Sequence, residues 1–407
     1  MYGQALADGE ARILNGNVVI IGGGVIGSAV AAFLAAEPGF AGRTIVIERD
    51  LTYRTASSAL SASSIRQQFS TPVNIAISRF GIGFLRDIGR RLAIEDDPAA
   101  APDVGLREPG YLYVATAAGM PIIEANHRVQ REQDVDVALL DPGALAARFP
   151  WLAVDDLAMG SLGLSGEGWF DGYALLQAFR RKARSLGVRY LADETVALDR
   201  RGGRIEGVRL ASGETLPAGA VVNAAGPWAA KVAAMADLDL PVRGRRRSVF
   251  VFDCRESLPG CPLVIDTSGV WFRPEGAHFI CGMSPAEGEE DPDDVPLEVE
   301  HHLFEEAIWP ALARRVPAFE AVKVLSSWAG YYDYNVFDQN GIVGRDPDIE
   351  NLYVANGFSG HGLQQSPAVG RAVAELIAHG AYRTLDLSPL GPERIRAGRP
   401  LRELCVI

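Results

Sequence analysis

Val18–Ile21 is a short, unbroken apolar run, the pattern of a strand buried on both faces. It leads directly into Gly22-Gly23-Gly24-Val25-Ile26-Gly27, and small or apolar residues then continue through Leu34 until Pro38-Gly39. That order predicts a strand, a glycine turn and a helix. Thr44–Ile47 is a second apolar run, closed by Glu48. Thr195–Leu198 and Ile205–Leu210 read as a strand pair, and Ala220–Val222 as a buried strand running into the small residues Asn223-Ala224-Ala225-Gly226. Leu352–Ala355 is another apolar strand, with a helix predicted from about Pro367 to His379. Gly110–Thr116, Arg247–Phe252 and Phe279–Gly282 alternate or run apolar as strands do.

The first of these patterns carries chemistry. Residues 22–27 satisfy GxGxxG between a strand and a helix, the arrangement that binds a dinucleotide. Gly22 permits the tight turn, Gly24 lets a pyrophosphate approach the backbone, and Gly27 lets the helix pack on the strand. The free N–H groups of the helix start then face the phosphates. Glu48 follows Gly27 by about 20 residues, where its carboxylate accepts from ribose hydroxyls and repels a 2′-phosphate. On these residues alone, FAD and NAD remain equally acceptable.

At 407 residues the chain has length for two or three domains. A net charge of -12 argues against nucleic acid or an anionic membrane surface as the main partner. Cys254, Cys261, Cys281 and Cys405 show no CxxC pair, so a reducing compartment is expected. The first sixteen residues hold no apolar run of signal-peptide length, and no window resembles a membrane span; the chain reads as cytoplasmic. His301-His302 lies among Glu298, Glu300 and Glu305, but adjacent residues on a helix diverge by about 100°. An acidic helix face is the better reading, and no metal is expected. Glu287–Asp294 reads as a solvated acidic loop.

Four segments now combine: Asn223-Ala224-Ala225-Gly226-Pro227-Trp228, Gly357–Gln365 (GFSGHGLQQ), Ala56–Ser70 (ASSALSASSIRQQFS) and Trp328–Val343 (WAGYYDYNVFDQNGIV). With the N-terminal turn, they make the chain resemble the D-amino-acid oxidase (DAO) superfamily of FAD-dependent flavoenzymes, which includes glycine oxidase, sarcosine oxidases and D-amino-acid dehydrogenases. The last three segments, and Thr384–Pro389, are most similar to the branch holding a mitochondrial FAD-oxidoreductase-domain protein implicated in complex I assembly and its bacterial relatives. The resemblance implies an α/β plus α+β fold. A Rossmann-type FAD-binding domain would gather residues 1–100, 155–240 and 335–407. A substrate domain on an antiparallel sheet would gather 101–154 and 241–334. It also implies noncovalent FAD: covalent members use a cysteine near Gly330-Tyr331 or a histidine near Ala56–Ser64, and neither stands there.

By the same resemblance, the cofactor contacts are Gly22, Gly24, Val25, Ile26, Gly27, Glu48 and Arg49, then Ser57, Ser58, Ser61, Ala62, Ser63 and Val196. They continue through Ala224, Ala225, Gly226 and Trp228 to Gly357, Gly360, His361, Gly362, Leu363 and Gln364. The helix after Gly357–Gly362 would aim its positive end at the flavin N1–C2=O edge. His361 either touches the flavin or holds that loop in shape. Arg66 falls where sarcosine oxidase-like members bind the substrate carboxylate, with Arg247 a second candidate; guanidinium grips carboxylate as a fork. Trp271, Tyr331, Tyr332 and Tyr334 would form an aromatic wall. Tyr331-Tyr332 replaces the clamp arginine of D-amino-acid dehydrogenases, which weakens any transfer of D-arginine-type specificity.

The implied reaction is hydride transfer from a Cα or N-methyl carbon of a small carboxylate-bearing amine to flavin N5. Ile280 or Cys281 stands where sarcosine oxidases carry an oxygen-activating lysine, and Gln364 replaces a second one. Oxygen is therefore expected to be a poor acceptor, and the true acceptor is open. Two alternatives stand beside this reading: a non-catalytic FAD-binding assembly protein, and an NAD-dependent dehydrogenase.

Overall fold

The structure is a computed structural model, and it describes residues 16–95, 97, 101–285 and 291–404. Two large sheets dominate. The first has six strands, in the order Ile342–Arg345, Leu352–Asn356, Ala220–Asn223, Asn17–Ile21, Arg43–Glu48 and Arg189–Ala192. All its pairings are parallel except that of Ile342–Arg345 with Leu352–Asn356. The apolar runs read from the sequence are its central strands, because a parallel sheet covered on both faces needs apolar side chains on both. Helices Val25–Ala35, Gly172–Ser185 and Gly362–His379 pack on one face. A three-stranded sheet of Thr195–Arg201, Arg204–Leu210 and Thr215–Pro217 shares a core with the other.

The second sheet has eight strands: Val322–Asn335, Val242–Cys254, His278–Met283, Val270–Glu275, Leu263–Ile265, Tyr111–Ala115, Met159–Gly163 and Val137–Leu140. It is antiparallel apart from the parallel contact of Leu263–Ile265 with Tyr111–Ala115. Its two longest strands pair along their whole length, from Val242 opposite Asn335 to Cys254 opposite Val322. One face buries Phe250, Phe252, Phe272, Cys281 and Phe319. The opposite face carries Tyr111, Val249, Leu263, Ile265, Trp271 and Ile280 toward the site. The mixed α/β architecture is that expected from the sequence.

The C-terminal helix starts earlier than the sequence suggested, at Gly362, with Pro367 inside it. Proline has no N–H to donate to Leu363 O, four residues back. The Ser366 hydroxyl donates to that carbonyl instead, at 2.9 Å, so the helix continues through the proline. Gly380, at φ 70°, ends it by donating to Leu376 O. Glu403 is fully buried and accepts from Ser70 N, Thr71 Oγ1 and Asn74 Nδ2 at 2.8–2.9 Å. It thereby satisfies donors around the start of helix Pro72–Arg86, whose cap residue Thr71 makes no side-chain cap bond. Among the described residues no helix is long and apolar enough to cross a membrane.

Candidate active site

A cavity of about 280 Å³ opens between the two sheets. Its far end is built by the glycine turn. Gly22 has φ 102°, and a Cβ there would lie 2.3 Å from Ala224 O, so only glycine allows the two strand ends to approach. Glu48 Oε2 accepts from Gly23 N at 2.9 Å and Oε1 from Asp50 N at 3.0 Å, which fixes the carboxylate against the cavity. The Ser58 hydroxyl accepts from Val25 N at 3.0 Å, satisfying one donor of the helix start. Arg49 lies over Trp228, 3.7 Å from the ring centroid, and both line the cavity.

Three buried polar atoms on this wall, Tyr53 Oη, Ser57 Oγ and Thr195 Oγ1, have no hydrogen-bond partner among the described residues. Leaving such groups unmet costs about 1–3 kcal/mol each. Together with the glycine cradle and the Glu48 carboxylate, they fit a polar dinucleotide spanning this end of the cavity.

The middle of the cavity is framed by Ala56–Ser64 and by Gly360–Leu363. The first segment is held by the second sheet: Trp328 Nε1 donates to Leu60 O at 2.8 Å, and Arg273 Nη2 to Ala62 O at 2.7 Å. The second is held by Asp333, whose carboxylate accepts from Gly357 N at 2.8 Å and Phe358 N at 3.2 Å. Burial pushes the Asp333 carboxyl up to about 6, against the pull of those two N–H groups. Gly360, at φ 92°, leaves room for the Tyr332 ring, which a Cβ would approach to 2.9 Å.

Arg66 lines the near end and is 3 % exposed. Its guanidinium lies 4.7 Å from the Phe69 ring centroid and 5.8 Å from those of Tyr111 and Tyr113. Its backbone N–H donates to Gln364 Oε1 at 2.8 Å. The next two N–H groups, of Gln67 and Gln68, donate to Glu167 Oε1 at 2.6 and 3.0 Å. Glu167 is fully buried; burial pushes its carboxyl up to about 7, while the Gln68 side chain and those N–H groups draw it down.

Arg66 Nη2 is 2.8 Å from His361 Nε2. Arginine only donates, so Nε2 accepts and the ring proton sits on Nδ1. Burial, followed by the Arg66 charge, holds this imidazole well below 6.5. A folded state that refuses a proton loses stability once the unfolded state accepts it. Below about pH 6.5, His361 should therefore cost up to about 1.4 kcal/mol per pH unit. Urea unfolding between pH 5 and 7.5 should give a steeper acid loss for wild type than for His361→Gln. Parallel curves would assign the acid sensitivity to other groups.

Most of the residues singled out from the sequence meet in this one cavity, with exceptions. Val196 does not line it: its side chain is 51 % exposed, and Asp193, Glu194 and Thr195 form the wall. Gly27 lies behind the wall, where a Cβ would be 2.0 Å from Gly22 O. Gly357 and Gln364 stand outside it as supports for the loop and for Arg66. Of the four wall aromatics, Trp271, Tyr331 and Tyr332 line the cavity, whereas Tyr334 does not and instead packs under Arg245 at 4.2 Å. Ile280 faces the site side of its sheet and Cys281 the opposite core. Among the described residues no group of three or more His, Cys, Asp or Glu is placed to hold a metal.

The acidic loop also differs from the expectation. Glu287–Glu290 lie outside the described residues, but Asp291 is paired with Arg245 and Arg247, its side chain 15 % exposed. A carboxylate facing two guanidiniums is held, and the arginine run is correspondingly neutralised. Cys405 lies outside the described residues. Sequence reading missed Tyr53, Tyr111 and Glu167. The alternation of Tyr111 and Tyr113 marked a shared strand face, but nothing local aimed that face at Arg66.

The chain is 44% identical over 426 residues to FAD-dependent oxidoreductase domain-containing protein 1 of Xenopus laevis, covering 96% of this chain and 85% of that one. It is 28% identical over 393 residues to glycine oxidase of Geobacillus kaustophilus, covering 93% and 97%. Its fold is similar to that of L-proline dehydrogenase from P. horikoshii, with TM-score 0.83, 25% identity and 95% and 99% coverage. The family model for FAD dependent oxidoreductases, DAO, matches residues 17–376, and the chain belongs to that family.

Proposed function

We propose that this protein oxidises the C–N bond of a small amino acid, or of an N-substituted amino acid, at a noncovalently held FAD. One observation carries the reading: a buried guanidinium, Arg66, lines the same cavity as the dinucleotide cradle. A desolvated arginine walled by aromatic rings suits a substrate carboxylate, which it would grip as a fork. The names of the glycine oxidase and L-proline dehydrogenase relatives accord with an amino-acid substrate.

When bound, FAD supplies the hydride acceptor. Gly22–Glu48 would hold its adenosine half, and Ser57–Ser63 with Gly360–Leu363 the ring half. The chain's own residues then bind and orient. Arg66 fixes the carboxylate, His361 fixes Arg66, and Tyr111, Tyr332 and Trp271 exclude water from the carbon that loses its hydride. The N-terminal, middle and C-terminal segments 1–100, 155–240 and 335–407 are proposed as the FAD domain, with 101–154 and 241–334 as the substrate domain. A cytoplasmic location belongs to the same proposal.

Anaerobic mixing with a panel of D-, L- and N-methyl amino acids tests the function. At least one should bleach the flavin within seconds. Readmitted oxygen should restore the colour slowly, because Ile280, not a cation, faces the site from that strand position. A flavin that no member of the panel reduces would favour the non-catalytic alternative.

A further inference from the structure

A second guanidinium reaches this cavity, and it is already holding a carboxylate. Arg247 donates Nη1 to Asp291 Oδ1 at 2.8 Å and Nη2 to Asp291 Oδ2 at 2.7 Å, a bidentate fork. The two side chains are 10 % and 15 % exposed. Arg247 lines the main cavity and also a smaller one of about 150 Å³ beside it, whose wall includes Asp291. Arg247 thus stands where the two spaces meet, with Asp291 holding it from the side of the smaller one.

The segment that carries Asp291 lies across an arginine-bearing strand. Asp294 N donates to Gly244 O at 2.7 Å, and Arg245 reaches Asp293 at 3.2 Å and Asp291 at 2.8 Å. Tyr331, itself on the cavity wall, donates its hydroxyl to Val295 O at 2.6 Å. Arg247 also lies 5.3 Å from the Tyr332 ring centroid. Burial pushes the Tyr332 hydroxyl up, Arg247 and Arg66 both draw it back, and Asp291 opposes them. Both guanidiniums therefore act on one phenol, from a ligand-sized space.

We propose that Asp291 is an internal stand-in for a ligand carboxylate, and that Arg247 exchanges it for the second carboxylate of an amine diacid. The proposal rests on the amine-oxidising reading, in which Arg66 takes the first carboxylate. Exchange of one carboxylate for another is the inexpensive route to this site, because it never leaves the part-buried Arg247 unpaired. The displaced Asp291 keeps Arg245 as a partner. A monoacid, held at Arg66, leaves the internal pair undisturbed. The arrangement thus selects substrates by the number and spacing of their carboxylates.

The test is titration of the FAD-loaded protein with acetate, malonate, succinate and glutarate, followed by perturbation of the flavin absorption. In wild type one diacid length should bind at least about tenfold more tightly than acetate. Asp291→Asn, with its flavin retained and its melting temperature checked, should strengthen that diacid about tenfold further and leave acetate unchanged. Adding Arg247→Gln to that variant should remove the gain. Wild type that binds no diacid better than acetate overturns the proposal without recourse to any variant. So does an Asp291→Asn protein in which acetate and diacid gain equally, since Asp291 would then be a simple clip. Acetate binding with no diacid preference sinks this inference alone, whereas silence toward every acid sinks the carboxylate role of Arg66 as well.

Discussion

Glu48→Arg should give a folded protein that purifies without its flavin. In the wild type, acid precipitation should release the yellow colour into the supernatant, as noncovalent FAD requires. The carboxylate is fixed by Gly23 N and Asp50 N, at 2.9 and 3.0 Å, and faces the cavity at the strand end. Its remaining lone pairs are the acceptors available to a ribose. Hydrogen bonds to a charged group contribute about 1.5–3 kcal/mol each. Losing a pair, and setting a cation in their place, should weaken FAD by about 10³ or more. Glu48→Gln separates charge from shape. Its amide keeps one acceptor but turns a donor toward one of the two N–H groups, so an intermediate loss is expected. Apoprotein titration with FAD measures both variants, and circular dichroism checks their fold. Full flavin in Glu48→Arg would place the ribose elsewhere.

The parts of this architecture that were legible from sequence share one property: their signal is local. Strand Asn17–Ile21, the turn at Gly22 and helix Val25–Ala35 each follow from neighbouring residues, although the helix begins inside the glycine motif, at Val25, and not after Gly27. The C-terminal helix was misjudged at its start for an equally physical reason. Proline ordinarily ends a helix, and nothing in the pattern announces that the Ser366 hydroxyl will satisfy Leu363 O. Long-range pairing was out of reach. That Glu167 would hold the backbone at Gln67 and Gln68, or that Asp291 would close on Arg247, depends on segments 100 and 44 residues apart. The acidic loop looked solvated because its own composition is polar, and only the facing arginine strand changes that. At Val196 the resemblance brought the right strand to the cavity, and the period-two alternation of that strand turns the Thr195 side chain inward and the Val196 side chain out.

Arg66→Ala should keep the flavin spectrum and lose carboxylate substrates. The guanidinium is 3 % exposed, is fixed at 2.8 Å from His361 Nε2, and stands among Phe69, Tyr111 and Tyr113. Removing one member of a desolvated charge pair costs about 3–5 kcal/mol, mostly because the other charge is left unpaired. That corresponds to a fall in kcat/KM on the order of 10²–10³ or more. Arg66→Lys should recover only part of it, since an ammonium offers no fork with which to serve both His361 and a carboxylate. The backbone bond from Arg66 N to Gln364 Oε1 is independent of the side chain, so the segment beside the cofactor should keep its place in both variants. Esterified or decarboxylated analogues carry no charge for Arg66 to meet. They should react poorly with wild type and lose far less on substitution. Rapid-reaction reduction of the flavin, measured for acid and ester in all three proteins, separates the terms. If Arg66→Ala reduces its flavin normally with the acid, Arg66 is a support for the His361 loop. The substrate carboxylate then belongs to Arg247, whose fork would have to release Asp291 for every substrate and not for diacids alone.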